Sequence, residues 1–422
     1  MLRAKECLMA SIELRYGHET IPLTFDESRF EVLTASDDAA PLTDREIGEK
    51  LDRPIGSPPL DEIIRPGETV LLVVPDATRQ TAAGQVINLL VRRLIANGTA
   101  PHEITVIFAT GIHRKTTPDE KAAILTPFIY QRIKTLDHGA RDLMQIARLG
   151  EMSGGIPVEL NRALLEHDHV VLIGGVTFHY FAGFTGGRKL VCPGLASVRT
   201  ISETHKLAFD CSTLARRDGV DTGLLDGNAV HETFVEATAL AKPRFAINTI
   251  VNDDGAAVDI FCGDWIESHR AACEVFAATH SVRIAEKRSL VIASCGGSPF
   301  DINMIQAHKA LDAASRACTD DGTIVLLAQC PDGMGRSDMI DWFSAADSRE
   351  LAVRLCERYQ VNGQTAWSLL QKAERFDIRL VTSLADETAA AMRLRKVQGS
   401  GLDAFLNGTG YIMPAASALR IR

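Results

Sequence analysis

Strand-length apolar runs alternate with amphipathic helical stretches along most of this chain, and that alternation limits the folds open to it. TVLLVV is followed by GQVINLLVRRLIANG, then EITVIFA, and later HVVLIGGV. A second series runs SLVIASCGG, INMIQAHKALDAASRAC, TIVLLAQC and FDIRLVTSL. Strands that are apolar at consecutive positions must be buried on both faces, which amphipathic helices packed above and below a sheet accomplish. The expectation is an α/β protein with mostly parallel sheets. Three N-terminal runs, SIELRYG, TIPLTF and RFEVLTA, alternate with period two and suggest a small antiparallel layer. RFAINTIVNDDGAAVDIFCG reads as a hairpin turning at Asp253-Asp254-Gly255, with a helix over about 264–278 behind it.

A chain of 422 residues is too long for one ordinary core, so two domains are expected. The boundary is placed near 284, giving an N-terminal α/β domain over 1–284 and a C-terminal one over 285–404, with the residues after about 405 returning to the first. The formal charge of −9 argues against a nucleic-acid partner and against an anionic membrane surface. The apolar runs are strand-length, far short of a spanning helix. The stretch MLRAKECLMASIELRYGHE has no apolar segment of signal-peptide type, and the nine cysteines include no C-x-x-C pair. Reduced thiols in a cytoplasmic protein are the expectation.

In open α/β sheets ligands bind beyond the carboxyl ends of the strands. TVLLVV leads into Asp76 and Arg79, EITVIFA into His113, HVVLIGGV into His179 and Lys189, and SLVIASC into Gln306 and Lys309. Any one of these has a bland reading: a solvated loop histidine, or a carboxylate and an arginine that cap the next helix. Their convergence on four successive strand ends is the functional signal. GFTGGRK looks like a phosphate loop but does not fit one. Counting from Gly183, the second glycine of G-x-x-x-x-G-K-[ST] would fall at Arg188, and Lys189 is followed by Leu190. No G-x-G-x-x-G opens the first βα unit, and no H-E-x-x-H or four-cysteine zinc spacing exists. His113, His179 and His205 could still meet in space as a three-histidine zinc site.

The run HYFAGFTGGRKLVCPGLA, with His205 sixteen residues beyond Lys189, resembles the nickel-dependent lactate racemase family. PDATR, ATGIHR and DINMIQAHK match the same family in the same order, so the resemblance covers nearly the whole chain. It implies a nickel-pincer nucleotide in the cleft between two domains, made by dedicated cofactor-synthesis proteins. This is a mononucleotide whose two sulfur arms and ring carbon hold the metal, with one protein histidine completing a square suited to Ni(II). Carried over, Lys189 tethers one arm covalently, Gly186 and Gly187 line the cofactor with Trp367, and His205 binds nickel. His113 and His179 act as acid and base, Arg79 and Lys309 bind the substrate carboxylate, Gln306 orients the substrate, and Asp76 orients Arg79 or His113. Ile305 stands where many relatives have tyrosine, which implies a substrate bulkier or more apolar than lactate.

The function so implied is racemisation or epimerisation of a 2-hydroxycarboxylic acid through a 2-keto acid, by transient hydride transfer. Removing a hydride is easier than removing a proton beside a carboxylate, provided a base takes the hydroxyl proton, and histidine suits that task near neutral pH. The rivals are a zinc hydrolase using the three histidines and a non-catalytic nucleotide- or cofactor-binding protein.

Overall fold

A computed structural model describes residues 9–36 and 39–422. The chain divides into two compact units. One holds residues 9–36, Phe209–Ala215 and Thr279–Arg422; the other holds residues 39–208 and Arg216–Ala278.

The second of these is built on a six-stranded sheet ordered Ala257–Gly263, Phe245–Val251, His169–Gly175, Val70–Pro75, Ile104–Ala109, Lys134–Asp137. All neighbours are parallel except the first pair. That pair is the expected hairpin, closed where Gly255 N–H donates to the Asn252 carbonyl. Every residue of Val70–Pro75 is buried, which is why this strand is apolar at every position. The Ala83–Ala96 helix covers it with Val86, Ile87, Leu90, Val91 and Leu94, the three-and-four spacing of one buried stripe. Behind the hairpin the helix spans Glu267–His280, a little later than 264–278, because Asp264 Oδ1 accepts from the Ile266 and Glu267 amides at its start.

The other unit carries a six-stranded, wholly parallel sheet: Arg395–Lys396, Asp377–Val381, Cys318–Leu327, Arg288–Ser294, Gly410–Met413, Phe30–Val32. Helices Met304–Ala317 and Val361–Arg375 belong to it. Here the structure corrects the sequence reading. Met9–Tyr16 and Glu19–Asp26 do form an antiparallel hairpin, but the third run leaves it, and Phe30–Val32 joins the parallel sheet beside Gly410–Met413. The chain after 405 therefore stays with the C-terminal half, and residues 9–36 join it there.

Burial explains the choice. Leu14, Leu23 and Phe25 from the hairpin share one core with Leu290, Ile292, Val325, Leu327 and Ile412. The hairpin turn is also stitched to the loop after Arg288–Ser294: Gly17 N–H donates to Asp301 Oδ2 at 2.7 Å, and Ser298 N–H donates to the Gly17 carbonyl at 2.8 Å. Without these apolar partners the hairpin would be marginal in water.

The cysteines are a second correction. Cys211 and Cys356 form a disulfide across 145 residues, with Cα atoms 5.7 Å apart. Cys192, Cys262, Cys273, Cys295, Cys318 and Cys330 are free and buried. A pairing of such long range leaves no trace in cysteine spacing, because it depends on where the fold brings two Cα atoms together.

Candidate active site

The part spanning residues 39–208 carries eight of the expected residues, seven of them in the segments that follow its strands and His205 in a helix. Beyond Val70–Pro75, Asp76 is 7 % exposed, and its Oδ1 accepts from the Thr78 amide at 3.0 Å and the Thr78 hydroxyl at 2.6 Å. Its Oδ2 lies 2.7 Å from His113 Nδ1. Burial alone would raise this carboxyl, but His113, Thr78 and Arg79 outweigh it and hold it at about 2. Asp76 is therefore ionised at neutral pH and accepts a hydrogen bond from the His113 Nδ1–H, which turns Nε2 away from the carboxylate. Asp76 thus touches His113 through this hydrogen bond and attracts the Arg79 guanidinium, the two partners the sequence left open. The His113 loop is set by its amide donating to the Thr110 carbonyl and by Gly111 N–H donating to the Gly194 carbonyl. Arg79 is half-buried, and burial lowers its pKa against the pull of Asp76.

After His169–Gly175 the chain folds back on itself. His179 pairs with Gly183 in a two-residue antiparallel ladder, and the Ala182 amide donates to His179 Nδ1 at 3.3 Å. Gly186 and Gly187 are buried at φ +74° and +49°, and a Cβ on Gly187 would stand 2.7 Å from the His269 ring. This is the close backbone approach that only glycine permits.

Phe181 lies at the centre of the cluster. Its ring centroid is 4.5 Å from that of His179, edge to face, and 5.1 Å from that of His205. Phe234 also approaches His205, with ring centroids 5.5 Å apart. The Lys189 amine stands 5.5 Å from the Phe181 centroid and 5.4 Å from that of Phe234. Dense packing and the charges of Arg79 and Arg188 push the pKa of this amine well below the usual lysine value. His205 sits in the Val198–Lys206 helix and is 6 % exposed. Burial, with the Lys189 charge, lowers the imidazole to about 3, and Nδ1 lies 2.8 Å from the Ile201 carbonyl one helical turn back. A neutral ring whose Nδ1–H donates to a carbonyl keeps Nε2 as a ligand lone pair.

Gln306 and Lys309 lie in the other unit, on Met304–Ala317, where Lys309 Nζ donates to Gln306 Oε1 at 2.6 Å. Ile305, immediately before Gln306, packs against that unit's core. Trp367 is 5 % exposed, its ring edge-on to Phe209 at 4.9 Å in the same core. Phe181 and Phe234 were not foreseen as site residues. Phe181, two positions after His179, was visible in HYFAGF; nothing in the sequence ties Phe234 to Lys189. Among the described residues no three His, Cys, Asp or Glu side chains are grouped to hold a metal ion, so His113, His179 and His205 do not form the ligand set the zinc alternative needs. Nor is any described helix long and apolar enough to cross a membrane.

Comparison with known proteins adds the following. The family model for the lactate racemase N-terminal domain matches residues 16–215, and that for the lactate racemase C-terminal domain matches 284–394. The lactate racemase of Lactiplantibacillus plantarum is 32% identical over 332 residues, 78% of this chain and 76% of the relative. That of Thermoanaerobacterium thermosaccharolyticum is 28% identical over 355 residues, 83% and 82% of the two chains. The solved lactate racemase apoprotein from T. thermosaccharolyticum superimposes with a TM-score of 0.86 at 25% identity, covering 98% of this chain and 100% of the other. A Thermotoga maritima protein shares the fold, with a TM-score of 0.72 at 20% identity, covering 92% and 100%.

Proposed function

The chain belongs to the lactate racemase family, and on that premise we propose that it inverts the C2 centre of a 2-hydroxycarboxylic acid with the help of a nickel-pincer nucleotide. The observation that carries the reading is the pairing of a neutral imidazole and an amine of depressed pKa against the same two rings. His205 offers one unprotonated nitrogen and Lys189 an amine poised to lose its proton, both against Phe181 and Phe234. These residues fit the group: His205 would hold its nickel and Lys189 one of its arms, with Gly186 and Gly187 admitting it close to the backbone. When bound, the group supplies a reversible acceptor for the C2 hydrogen and its electron pair.

The remaining work falls to the chain's own side chains. His113 Nε2 takes the hydroxyl proton from one enantiomer, since Asp76 fixes the tautomer that leaves this nitrogen bare. His179 serves the other enantiomer. Arg79 holds the carboxylate with its planar fork. The assignment of Gln306 and Lys309 to the substrate rests on the DINMIQAHK motif, and Ile305 within it favours an acid with a larger apolar substituent than lactate. The reading places the protein in the cytoplasm with the cofactor-synthesis proteins.

The test uses protein produced together with those cofactor-synthesis proteins. Single enantiomers of a panel of 2-hydroxy acids, deuterated at C2, are supplied and the products resolved by chiral chromatography and mass spectrometry. The opposite enantiomer should appear with its deuterium retained. Exchange of that position with solvent would point to a carbanion route, and loaded protein inert toward every acid would favour a non-catalytic cofactor binder.

A further inference from the structure

Arg188 is the largest fully buried side chain in the structure, 1 % exposed, and among the described residues no carboxylate pairs with it. A buried guanidinium is costly unless its charge is compensated. Here the compensation comes from backbone carbonyls of the turn that precedes it. Nη2 donates to the Ala182 carbonyl at 2.7 Å, and Nη1 lies 3.4 Å from those of Thr185 and Gly186. The His269 ring closes the floor: its Nε2 is 3.1 Å from Arg188 Nη1 and 2.9 Å from the Thr185 carbonyl. That nitrogen serves one of these contacts at a time, accepting from the arginine or donating to the carbonyl. Burial keeps the ring neutral, so it adds no opposing charge. The Thr238 hydroxyl donates to the Arg188 carbonyl at 3.1 Å and anchors its backbone from the Ala229–Ala241 helix.

Two consequences meet at the next residue. The turn from 182 to 187 is wrapped around one guanidinium, so the direction in which Lys189 leaves it depends on that side chain. Dipoles of carbonyls also stabilise a cation without cancelling its net charge, whereas a carboxylate would cancel it. We propose that Arg188 is the positioning residue for Lys189: it folds the turn about its guanidinium and sets the adjacent amine between Phe181 and Phe234, beside a positive charge that no anion offsets. The inference rests on the reading of Lys189 as the attachment point. The groups around the amine agree with it. Arg79 and Arg188 both disfavour its protonation, His205 is neutral, and the Cys192 thiol is pushed up to about 12 by burial and stays uncharged. An amine held this way keeps the lone pair that forming a bond to a thioacyl or acyl carbon requires.

The experiment starts with the protein free of cofactor, so that its outcome does not depend on the tether. Trace acetic anhydride acetylates a neutral amine, with loss of acetate and one proton. The acetylation rate of Lys189 is followed from pH 6 to 10 by peptide mass spectrometry, with exposed Lys134 as internal reference. The wild type should label Lys189 well below the pH at which Lys134 labels. R188M and R188Q both remove the charge, and R188Q keeps amide donors for the carbonyls should R188M not fold. Each folded variant should acetylate Lys189 about tenfold more slowly at pH 7, while R188K, which keeps the charge, should restore most of the rate. A folded R188Q with the wild-type pH profile would overturn the proposal, because a residue that only staples the fold would leave that profile unmoved. A second arm uses protein made with the cofactor-synthesis proteins and weighs the Lys189 peptide. An adduct in wild type that falls in R188Q supports the inference. Absence of any adduct in wild type refutes the tether alone, leaving the acetylation profiles to decide on Arg188.

Discussion

At the scale of single residues the three histidines differ in what each Nδ1 touches. His113 Nδ1 faces an ionised carboxylate, His179 Nδ1 faces a backbone amide, and His205 Nδ1 faces a carbonyl. If His113 and His179 each serve one enantiomer, replacing either by asparagine removes interconversion in both directions together, by about 10²-fold or more. A half-reaction from one enantiomer should survive in each mutant. Single-turnover absorbance should then respond to opposite enantiomers in the two proteins; equal responses to both enantiomers would mean that the two rings do not divide the substrate's faces. His205→Ala should purify folded but without nickel, measured by elemental analysis of protein made with the cofactor-synthesis proteins. Full nickel occupancy in that variant would contradict the ligand assignment. Arg188 is legible in GFTGGRK as a residue, but its role is not. Its partners Ala182 and Thr185 are close in sequence, whereas His269 lies 81 residues away and its contact depends on the fold.

At the scale of elements, the return of the chain through residues 178–190 is what turns a strand end into a site. The ladder His179↔Gly183 requires Gly183 at φ +75°, where a Cβ would stand 2.0 Å from the Leu224 carbonyl oxygen. Gly154 has a similar φ, +79°, but an added Cβ meets nothing within 4 Å. Gly154→Ala should therefore cost only the left-handed backbone penalty, on the order of 1 kcal/mol. Gly183→Ala adds a steric displacement of a fixed carbonyl and should cost more than about 2 kcal/mol, while also moving His179. Urea unfolding of the two variants checks this, and equal losses would mean that the Leu224 carbonyl gives way freely. The strands, the helices between them and the hairpin at Asn252–Gly255 were legible because their periodicities are local. The third N-terminal run was misassigned because period two shows only that one face is buried, and says nothing of which neighbour buries it.

At the scale of the whole molecule, buried neutral histidines set how stability responds to acid. His138 is 2 % exposed, with Nε2 3.0 Å from the Ala196 carbonyl and Nδ1 3.1 Å from Asn161 Nδ2. Burial outweighs the Ala196 carbonyl and lowers the ring from 6.5 to about 4. Between those values the unfolded chain binds the proton and the folded one does not, so stability rises with pH there and is lost on acidification. The shift corresponds to on the order of 3 kcal/mol. His138→Gln should flatten the slope of unfolding free energy against pH between about 6.5 and 4, and an unchanged slope would mean that other groups carry the acid response. The same burial that depresses His138 was invisible in the sequence, where an isolated histidine reads as solvated. By itself the sequence determined what is local: which runs are strands, which residues follow them, and the four motifs that set Asp76, Arg79, His113, His179, Lys189, His205, Gln306 and Lys309 in a pattern resembling one family. Only the tertiary structure decided that the N-terminal hairpin packs with the C-terminal half, that Cys211 meets Cys356, that Asp76 meets His113, and that Phe234 faces Lys189. Each of these is a contact between residues far apart in the chain, selected by the burial of apolar surface and the pairing of polar groups over the whole fold, for which no stretch of sequence carries the signal.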